Sequence, residues 1–408
     1  MSTFLKHHLL VKKIGFTFFL ILIFLLGRQI PLPGVDVNAY LGSENSFIRT
    51  TSSLTGGNLS QIGLFSLGLG PWMSAMILMR LLTLGRDSQQ LSPKALSFRQ
   101  NSLMLVVAII QALGICISLK YKSGQPLNFA MVIVPAIVLI GGSFIIAWLG
   151  NINSMHGLGG PAILVVVSMM VTQFQHIPLM VDLFNNGYAL AIIVLMGWSF
   201  ISMFFIVFLE HSEYRVPVMR ISIHNRLVDK AYLPIKVNAS GGMPLMYVYT
   251  FLMLPQYFIM LFAYFYPNNH RLQAWSLIFN TYNIWGIFIF SILLFVLAIA
   301  FSLINIDPTK LAEDMRNAGD YIPDIEPGKE TQLYLRHLGR FFGVFSGFFL
   351  VIMCVLPLLL TLGNTRLQSI AQLTGIVMMM TGILLSVIEE IKTARLRSRY
   401  KPLFSQDN

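Results

Sequence analysis

Few side chains in this sequence are of a type that performs covalent chemistry. Among 408 residues there are eight histidines and two cysteines. His7 and His8 are adjacent, next to the basic Lys12-Lys13 pair, and read as solvated. His156 and His176 stand alone near the ends of apolar stretches. Cys116 and Cys354 both lie inside apolar stretches, where a thiol is inert packing more often than a nucleophile, and no disulfide is expected. No His/Glu/Asp cluster has metal-ligand spacing within those stretches. No G-x4-G-K-[ST] motif cradles a phosphate. No nucleophile stands beside a base. Asn58-Leu59-Ser60 and Asn238-Ala239-Ser240 match a glycosylation triplet that is common by chance. The expectation is a protein that is not an enzyme and that holds no metal or cofactor.

Composition says what the chain is built for instead. Hydrophobic residues make up 55% and charged residues 11%, against about 25% charged in an average soluble domain. This excludes a disordered chain and an ordinary cytosolic enzyme. The net charge of +11 would suit nucleic acid only if the basic residues clustered on one folded face. They lie between long apolar runs, so the expected partner is a membrane, with no nucleic acid.

A helix needs about 20 mostly apolar residues to cross a hydrocarbon layer of about 30 Å. Stretches free of Asp, Glu, Lys and Arg lie between Lys13 and Arg28, Arg49 and Arg80, Arg99 and Lys120, Lys122 and Asp182, and Asp182 and Glu210. Others lie between Lys236 and Arg271, Arg271 and Asp307, Arg340 and Arg366, and Arg366 and Glu389. The Lys122–Asp182 stretch is long enough to cross twice. It contains a break signal from Gly150-Asn151-Ile152-Asn153 through Gly159-Gly160-Pro161. The expectation is an all-α polytopic membrane protein of ten helices. The first stretch is short, so its helix must extend toward Ile30; Arg28-Gln29-Ile30-Pro31-Leu32-Pro33-Gly34 reads as a structured exit rather than a cleavage site.

With the N-terminus inside, 22 of the 28 Lys and Arg fall in inside segments. The outside keeps Arg28, Arg49, Lys120, Lys122, Arg271 and Arg366. The bias of basic residues toward inside loops therefore predicts both termini on the cytosolic side.

The Arg49–Arg80 stretch breaks the pattern. Thr55-Gly56-Gly57 opens it and Leu67-Gly68-Leu69-Gly70-Pro71 interrupts it. Residues 58–66 between them make only about two turns at 1.5 Å per residue, too short to span. Such a half-helix is tolerated at membrane depth where it is buried in protein or lines an aqueous cavity. A merely Pro-kinked helix without a cavity is the plainer alternative. Gly339-x3-Gly343-x3-Gly347 places small residues on one helix face, a packing signal. Ten helices divide into residues 1–186 and 187–408, five each, and two five-helix halves must be inverted relative to one another, as in many transporters. No carboxylate, Lys or Arg lies inside the runs, which argues against an ion-coupled pump.

Two long inside connections hold the remaining polar mass. Residues 210–243 carry Arg215, Arg220, Arg226, Lys230 and Lys236. Residues 305–340 mix five basic residues with Asp307, Glu313, Asp314, Asp320, Asp324, Glu326 and Glu330. They read either as solvated loops or as a docking platform for a soluble partner steered by charge.

Four motifs carry a family resemblance. Arg28-Gln29-Ile30-Pro31-Leu32-Pro33-Gly34-Val35-Asp36 resembles the SecY signature, as does Phe65-Ser66-Leu67-Gly68-Leu69-Gly70-Pro71-Trp72-Met73-Ser74-Ala75 preceded by Gly56-Gly57. Leu233-Pro234-Ile235-Lys236-Val237-Asn238 with Gly242-Met243-Pro244 resembles the family's approach to its seventh helix. Gly319-Asp320-Tyr321-Ile322-Pro323 with Ile325, Pro327 and Gly328 resembles its fifth cytosolic loop. The motifs stand in the family's order over nearly the whole chain.

The resemblance implies the channel subunit of a protein translocase in a bacterial plasma membrane, with two pseudosymmetric halves around an hourglass pore. Residues 58–66 would be the plug, with Asn58, Leu59, Ile62, Leu64 and Phe65 as its members. The constriction ring would fall on Met73 and Ile77 in the second crossing, Ala162 and Val166 in the fifth, Met246 in the seventh and Met380 in the tenth. Apolar side chains seal by excluding water and impose no sequence code on a passing polypeptide. Methionine adapts to irregular gaps, although any one of the 22 can equally be core filling. A lateral gate between the second and third and the seventh and eighth crossings would release signal peptides into lipid. Implied partners are a SecA-type motor ATPase, small SecE-like and SecG-like membrane subunits or accessory Sec proteins, and the translocating polypeptide. Motor docking would fall on Arg215, Arg220, Arg226, Lys230, Glu326 and Lys329.

Departures from the housekeeping pattern narrow the resemblance. Glu326 stands where the family usually has an arginine, a charge reversal that cannot keep the same contact. Glu210 and Glu213 make the loop near Arg215 less basic than usual, and Ala162 is smaller than the usual isoleucine. These features resemble the accessory SecY of Gram-positive bacteria, associated with a dedicated motor and export of serine-rich glycosylated adhesins. The competing expectations are a housekeeping SecY, a small-solute secondary transporter and a membrane-embedded enzyme.

Overall fold

The structure is a computed structural model; it describes residues 2–35, 63–83, 93–119, 121, 129–220, 231–266 and 278–399. In chain order its helices are α1 (Ser2–Arg28), α2 (Gly70–Thr83), α3 (Pro93–Ser118), α4 (Phe129–His156), α5 (Ala162–Leu183) and α6 (Ala189–His211). Then come strands β1 (Glu213–Pro217), β2 (Met219–Arg220) and β3 (Tyr232–Lys236), followed by α7 (Met243–Phe265), α8 (Ile284–Ile306) and α9 (Pro308–Ala318). Strand β4 (Asp320–Tyr321), α10 (Lys329–Leu360) and α11 (Thr365–Arg399) complete the order. Among the described residues seven helical stretches are long and apolar enough to cross a membrane. One is the 50-residue Ala162–His211 stretch, which at 1.5 Å per residue is about twice what a bilayer needs. It is divided by a π-helical turn at Phe184–Tyr188, where Gly187 has φ 88°. The fold is an all-α polytopic membrane fold.

Two compact units emerge, each discontinuous in sequence. One comprises Met1–Pro178, Tyr249–Asn280 and Ile383–Asn408; the other comprises Leu179–Val248 and Thr281–Gly382.

In the first unit, the irregular segments are held mostly by neutral polar side chains. The break in the long fourth stretch begins at Gly157, not at Gly150, because α4 runs on through His156. Asn153, in the last turn of α4, ends it by donating from Nδ2 to the carbonyls of Leu158 and Gly160, 2.8 Å each. Thr17 of α1 accepts from the Leu158 N–H at 2.9 Å, and its hydroxyl reaches both Asn153 Oδ1 and the Lys13 carbonyl at 3.0 Å. Asn153 is fully buried and Thr17 nearly so. The reconnecting turn is also tied to α11, whose Glu390 accepts from the Gly159 N–H at 3.0 Å.

In the second unit, α8 shows how a helix divides between protein and lipid. Ile287, Phe290, Leu294, Leu297, Ala298, Phe301 and Ser302 recur at three- and four-residue spacing and are buried. Ile284, Trp285, Phe288, Ile292 and Val296 on the other face are exposed. The buried face meets the glycine stripe of α10: a Cβ on Gly343 would lie 3.0 Å from Ile299 Cα and Ser302 Cβ. Lipid tails are as apolar as leucine, so close van der Waals packing and interhelical hydrogen bonds drive such association. Ser302 supplies one, donating to the Gly339 carbonyl at 2.7 Å. Trp198 of α6 supplies another, from Nε1 to the Met353 carbonyl at 3.0 Å.

The two polar connections fold together. β1 pairs antiparallel with β3 in the register Glu213↔Lys236 to Pro217↔Tyr232, and β2 pairs with β4. Helix α9 is amphipathic, starts at Pro308 behind an Asp307 N-cap and stops at Gly319, which has φ 71°. Val216, Ile235, Ala239, Ala312, Met315, Ile322, Leu335 and Phe342 form one buried core beneath these elements. At about 1.5 Å per residue the 32-residue α10 is longer than a bilayer is thick, so its first turns reach this layer.

Two substitutions test this packing. Gly343→Leu forces a side chain into the α8–α10 contact and is expected to cost about 1–3 kcal/mol, read as a lowered melting temperature in detergent. Asn153→Ala strands the two carbonyls it serves and is expected to cost about 2–6 kcal/mol, at about 1–3 kcal/mol per stranded group. An unchanged melting temperature for either contradicts the packing described.

Candidate functional site

The segment expected to be re-entrant is where the apolar pattern breaks most clearly, and its described part has a definite anatomy. Residues 63–69 are turns rather than helix, while residues 58–62, with Asn58, Leu59 and Ile62, lie outside the described residues. The turns are sewn to the exit of α1. Gly63 forms an antiparallel bridge with Pro31, and the Leu64 N–H donates to the Ile30 carbonyl at 2.9 Å. The Gly63 N–H donates to Ser66 Oγ at 2.7 Å, and the Ser66 N–H returns to the Gly63 carbonyl at 3.1 Å. A Cβ on Gly63 would sit 2.6 Å from the Arg28 carbonyl and 2.7 Å from that of Ile30, so only glycine fits. Phe65 stacks on Phe24 with ring centroids 6.0 Å apart. Gly68, with φ 60°, turns the chain into α2, which Pro71 then opens at a position where its missing N–H costs nothing.

Arg28 lies in the same place and is 3% exposed. Its Nη1 donates to Ser168 Oγ of α5 at 3.1 Å, and its guanidinium carbon sits 5.7 Å from the Phe24 ring centroid. Its Nη2 has no hydrogen-bond partner.

The expected ring residues occupy helical positions with regular spacing. Met73 and Ile77 are four residues apart on α2 and fully buried, and so share one face. Ala162 and Val166 repeat that spacing on α5, the first half-buried and the second buried. These four belong to the first unit. Met246, in the first turn of α7, and Met380, in α11, belong to the second; Met246 is buried and Met380 half-buried.

Of the expected docking residues, Arg215 is exposed on β1, its guanidinium 4.6 Å above the Tyr232 ring centroid, a cation–π contact. Glu326 is exposed in the turn before α10, and its carbonyl accepts from Thr331 Oγ1 at 2.9 Å. Lys329 is exposed at the start of α10. Arg220 contributes backbone to β2, and Arg226 and Lys230 lie outside the described residues. Arg215 and Glu326 sit beside Val216 and Ile325, which pack in and against the same small core.

Polar residues that composition did not single out do much of the holding. Gln368 Nε2 donates to the Thr281 carbonyl at 2.7 Å and Gln372 Nε2 to Thr281 Oγ1 at 2.9 Å, all three nearly or fully buried. Ser199 and Thr374 join α6 to α11 through a 2.9 Å hydroxyl pair. Asp307-Pro308 and Gly319, a start and stop signal eleven residues apart, mark α9 in the sequence. Among the described residues no three His, Cys, Asp or Glu side chains gather to hold a metal.

These features define a class: a polytopic α-helical membrane protein with a turn bonded back onto the exit of its first helix and a folded polar layer on two of its connections. The family model described as SecY matches residues 63–393, and the chain belongs to the SecY family. The accessory Sec system protein translocase subunit SecY2 of Streptococcus agalactiae serotype Ia is 49% identical over 402 residues, covering 98% of each chain. The protein of the same description from Streptococcus gordonii is 33% identical over 412 residues, covering 99% of this chain and all of the relative. A solved protein conducting channel superposes with TM-score 0.69 at 15% identity, covering 97% of this chain and 95% of the other. A SecY structure concerned with a plug domain that stabilises the closed channel gives 0.68 at 16%, with the same coverage. At these identities the structural likeness is one of fold.

Proposed function

We propose that this chain is the protein-conducting channel subunit of an accessory Sec translocase, passing polypeptides across the plasma membrane under the drive of a separate SecA-type ATPase. The observation that carries the reading is the end-to-end match at 49% identity to a relative so described, joined to a chain with no phosphate-cradling motif of its own. The chain itself catalyses no reaction. Serine-rich glycosylated adhesins are the substrate class that the accessory resemblance points to.

The finer features are part of the same proposal. Ten crossings, with both termini cytosolic, follow from the positions of the apolar stretches and from the basic bias of the connections. The halves 1–186 and 187–408 express inverted topology, a property separate from compactness. Met73, Ile77, Ala162, Val166, Met246 and Met380 form the constriction, and residues 58–66 are the plug. Support for the plug is the anchored turn at 63–69, which holds one end of the segment against α1. The small SecE-like and SecG-like subunits or accessory Sec proteins complete the complex. The motor docks on the folded polar layer, where Arg215, Glu326 and Lys329 are exposed.

A secretory chain stalled in membranes containing the complex is expected to crosslink to probes at Met73, Val166, Met246 and Met380. Absence of those crosslinks, with small-solute uptake instead, favours the transporter. Deleting residues 58–66 is expected to raise ion leak or relax signal selectivity, and unchanged conductance and substrate range count against the plug. Glu326→Arg is expected to change coupling to the motor; export indifferent to it with either motor removes the proposed meaning of the charge reversal.

A further inference from the structure

We propose that Glu210 is a positioning residue that couples the folded polar layer to the first turn of α7, and with it to Met246. The inference rests on the channel reading above.

Glu210 is the penultimate residue of α6 and is 8% exposed. A carboxylate there faces the negative end of the helix dipole and loses most of its hydration, both unfavourable. It is held by the last residue of the hairpin and by a residue just beyond it. Lys236 Nζ lies 3.3 Å from Oε1, and Asn238 Nδ2 donates to Oε2 at 3.3 Å. Asn238 is 1% exposed and in turn accepts from Ser240 Oγ at 3.1 Å.

The segment that Glu210 grips is the link between β3 and α7, and it has no slack. The Val237 N–H donates to the Ser212 carbonyl at 2.9 Å, and the Gly241 N–H to the Asn238 carbonyl at 3.1 Å. Asn305 Nδ2 of α8 donates to the Ala239 carbonyl at 2.8 Å, and Ser346 Oγ of α10 to the Val237 carbonyl at 3.4 Å. Gly241 turns the chain with φ 65°, and Gly242 then meets Gly382 of α11, where a Cβ on either glycine would lie 3.0–3.3 Å from the other's Cα. Met243 opens α7 directly afterwards. All of these groups lie within one compact unit.

A flexible link would absorb a push on the polar layer. This one is bonded to α6, α8 and α10, so a displaced hairpin carries the start of α7 with it. Glu210 is the charged member of that linkage. It bonds the end of β3 through Lys236 and the second residue of the link through Asn238, and the bonds at Ala239 and the Gly242–Gly382 contact carry the constraint on toward Met243. Binding energy spent on the polar layer by a motor is thereby delivered to α7 rather than dissipated in a loop.

The test uses the assembled translocase in membrane vesicles with its motor. Variants are Glu210→Gln, Lys236→Met, Lys236→Arg and the reversed pair Glu210→Lys with Lys236→Glu. Readouts are motor binding to the vesicles, export per bound motor, and crosslinking of a stalled precursor to a cysteine placed at Met246. The expected result is unchanged motor binding with export per bound motor lowered about tenfold in Glu210→Gln, within the range of measured coupling energies. Lys236→Arg is expected to retain export and the reversed pair to recover part of it. If Glu210→Gln fails to accumulate, Lys236→Met, which leaves the Asn238 contact in place, carries the same expectation. Wild-type export per bound motor in the charge-removing variant overturns the inference while leaving the channel reading intact. Binding and export lost in parallel also overturns it. A wild-type complex that neither exports nor crosslinks overturns both.

Discussion

A polar group enclosed in an apolar bundle facing lipid has no water to turn to, so nearly all such groups find a partner within the protein; among the described residues the side-chain atoms Arg28 Nη2, Gln173 Nε2 and Gln256 Oε1 are the exceptions. This constraint governs every irregular segment described above. At 63–69 the backbone is satisfied by Ile30 and Ser66; at 157–161 by Thr17, Asn153 and Glu390; at 237–242 by Asn238, Ser240, Asn305 and Ser346. The clamps are mostly neutral amides and hydroxyls. A charged clamp in such a setting would carry a large desolvation cost. The exceptions, Glu390 and Glu210, stand where the chain leaves its apolar stretch, Glu210 at the end of α6 and Glu390 within the last third of α11.

The same constraint separates two kinds of adhesion in the fold. Between helices, contact comes from small residues and steric fit, as in the glycine stripe of α10 against α8. In the polar layer, contact comes from burial of apolar side chains away from water, as in the core around Val216, Ile235, Met315 and Leu335. The first does not repel a passing or departing helix strongly, because lipid is nearly as good a neighbour as protein. The second makes a cohesive body. A channel that opens within the membrane while keeping a folded polar layer intact needs both properties.

Much of this was legible in the chain. Period and length mark the apolar helices. Gly68, Gly70 and Pro71 mark the start of α2, and Gly339, Gly343 and Gly347 mark a packing face. Motif order names the family. The break after α4 is visible in Gly157 to Pro161, although Gly150 and Asn153 pull the sequence-based boundary too early: Asn153 signals a turn by composition but serves that turn from within the helix.

What composition could not decide was pairing. Arg28 reads as an exit residue facing outward, yet its side chain is buried against Ser168 and Phe24. The connections 210–243 and 305–340 read as two loops, yet β2 pairs with β4 and their apolar residues share one core. Glu210 reads as a reduction in positive charge, yet it clamps the link to α7. Hydrophobic period and length are local properties that each segment carries in its own sequence. Which amide meets which carbonyl across a hundred residues depends on how the helices pack, and only the tertiary structure decides that.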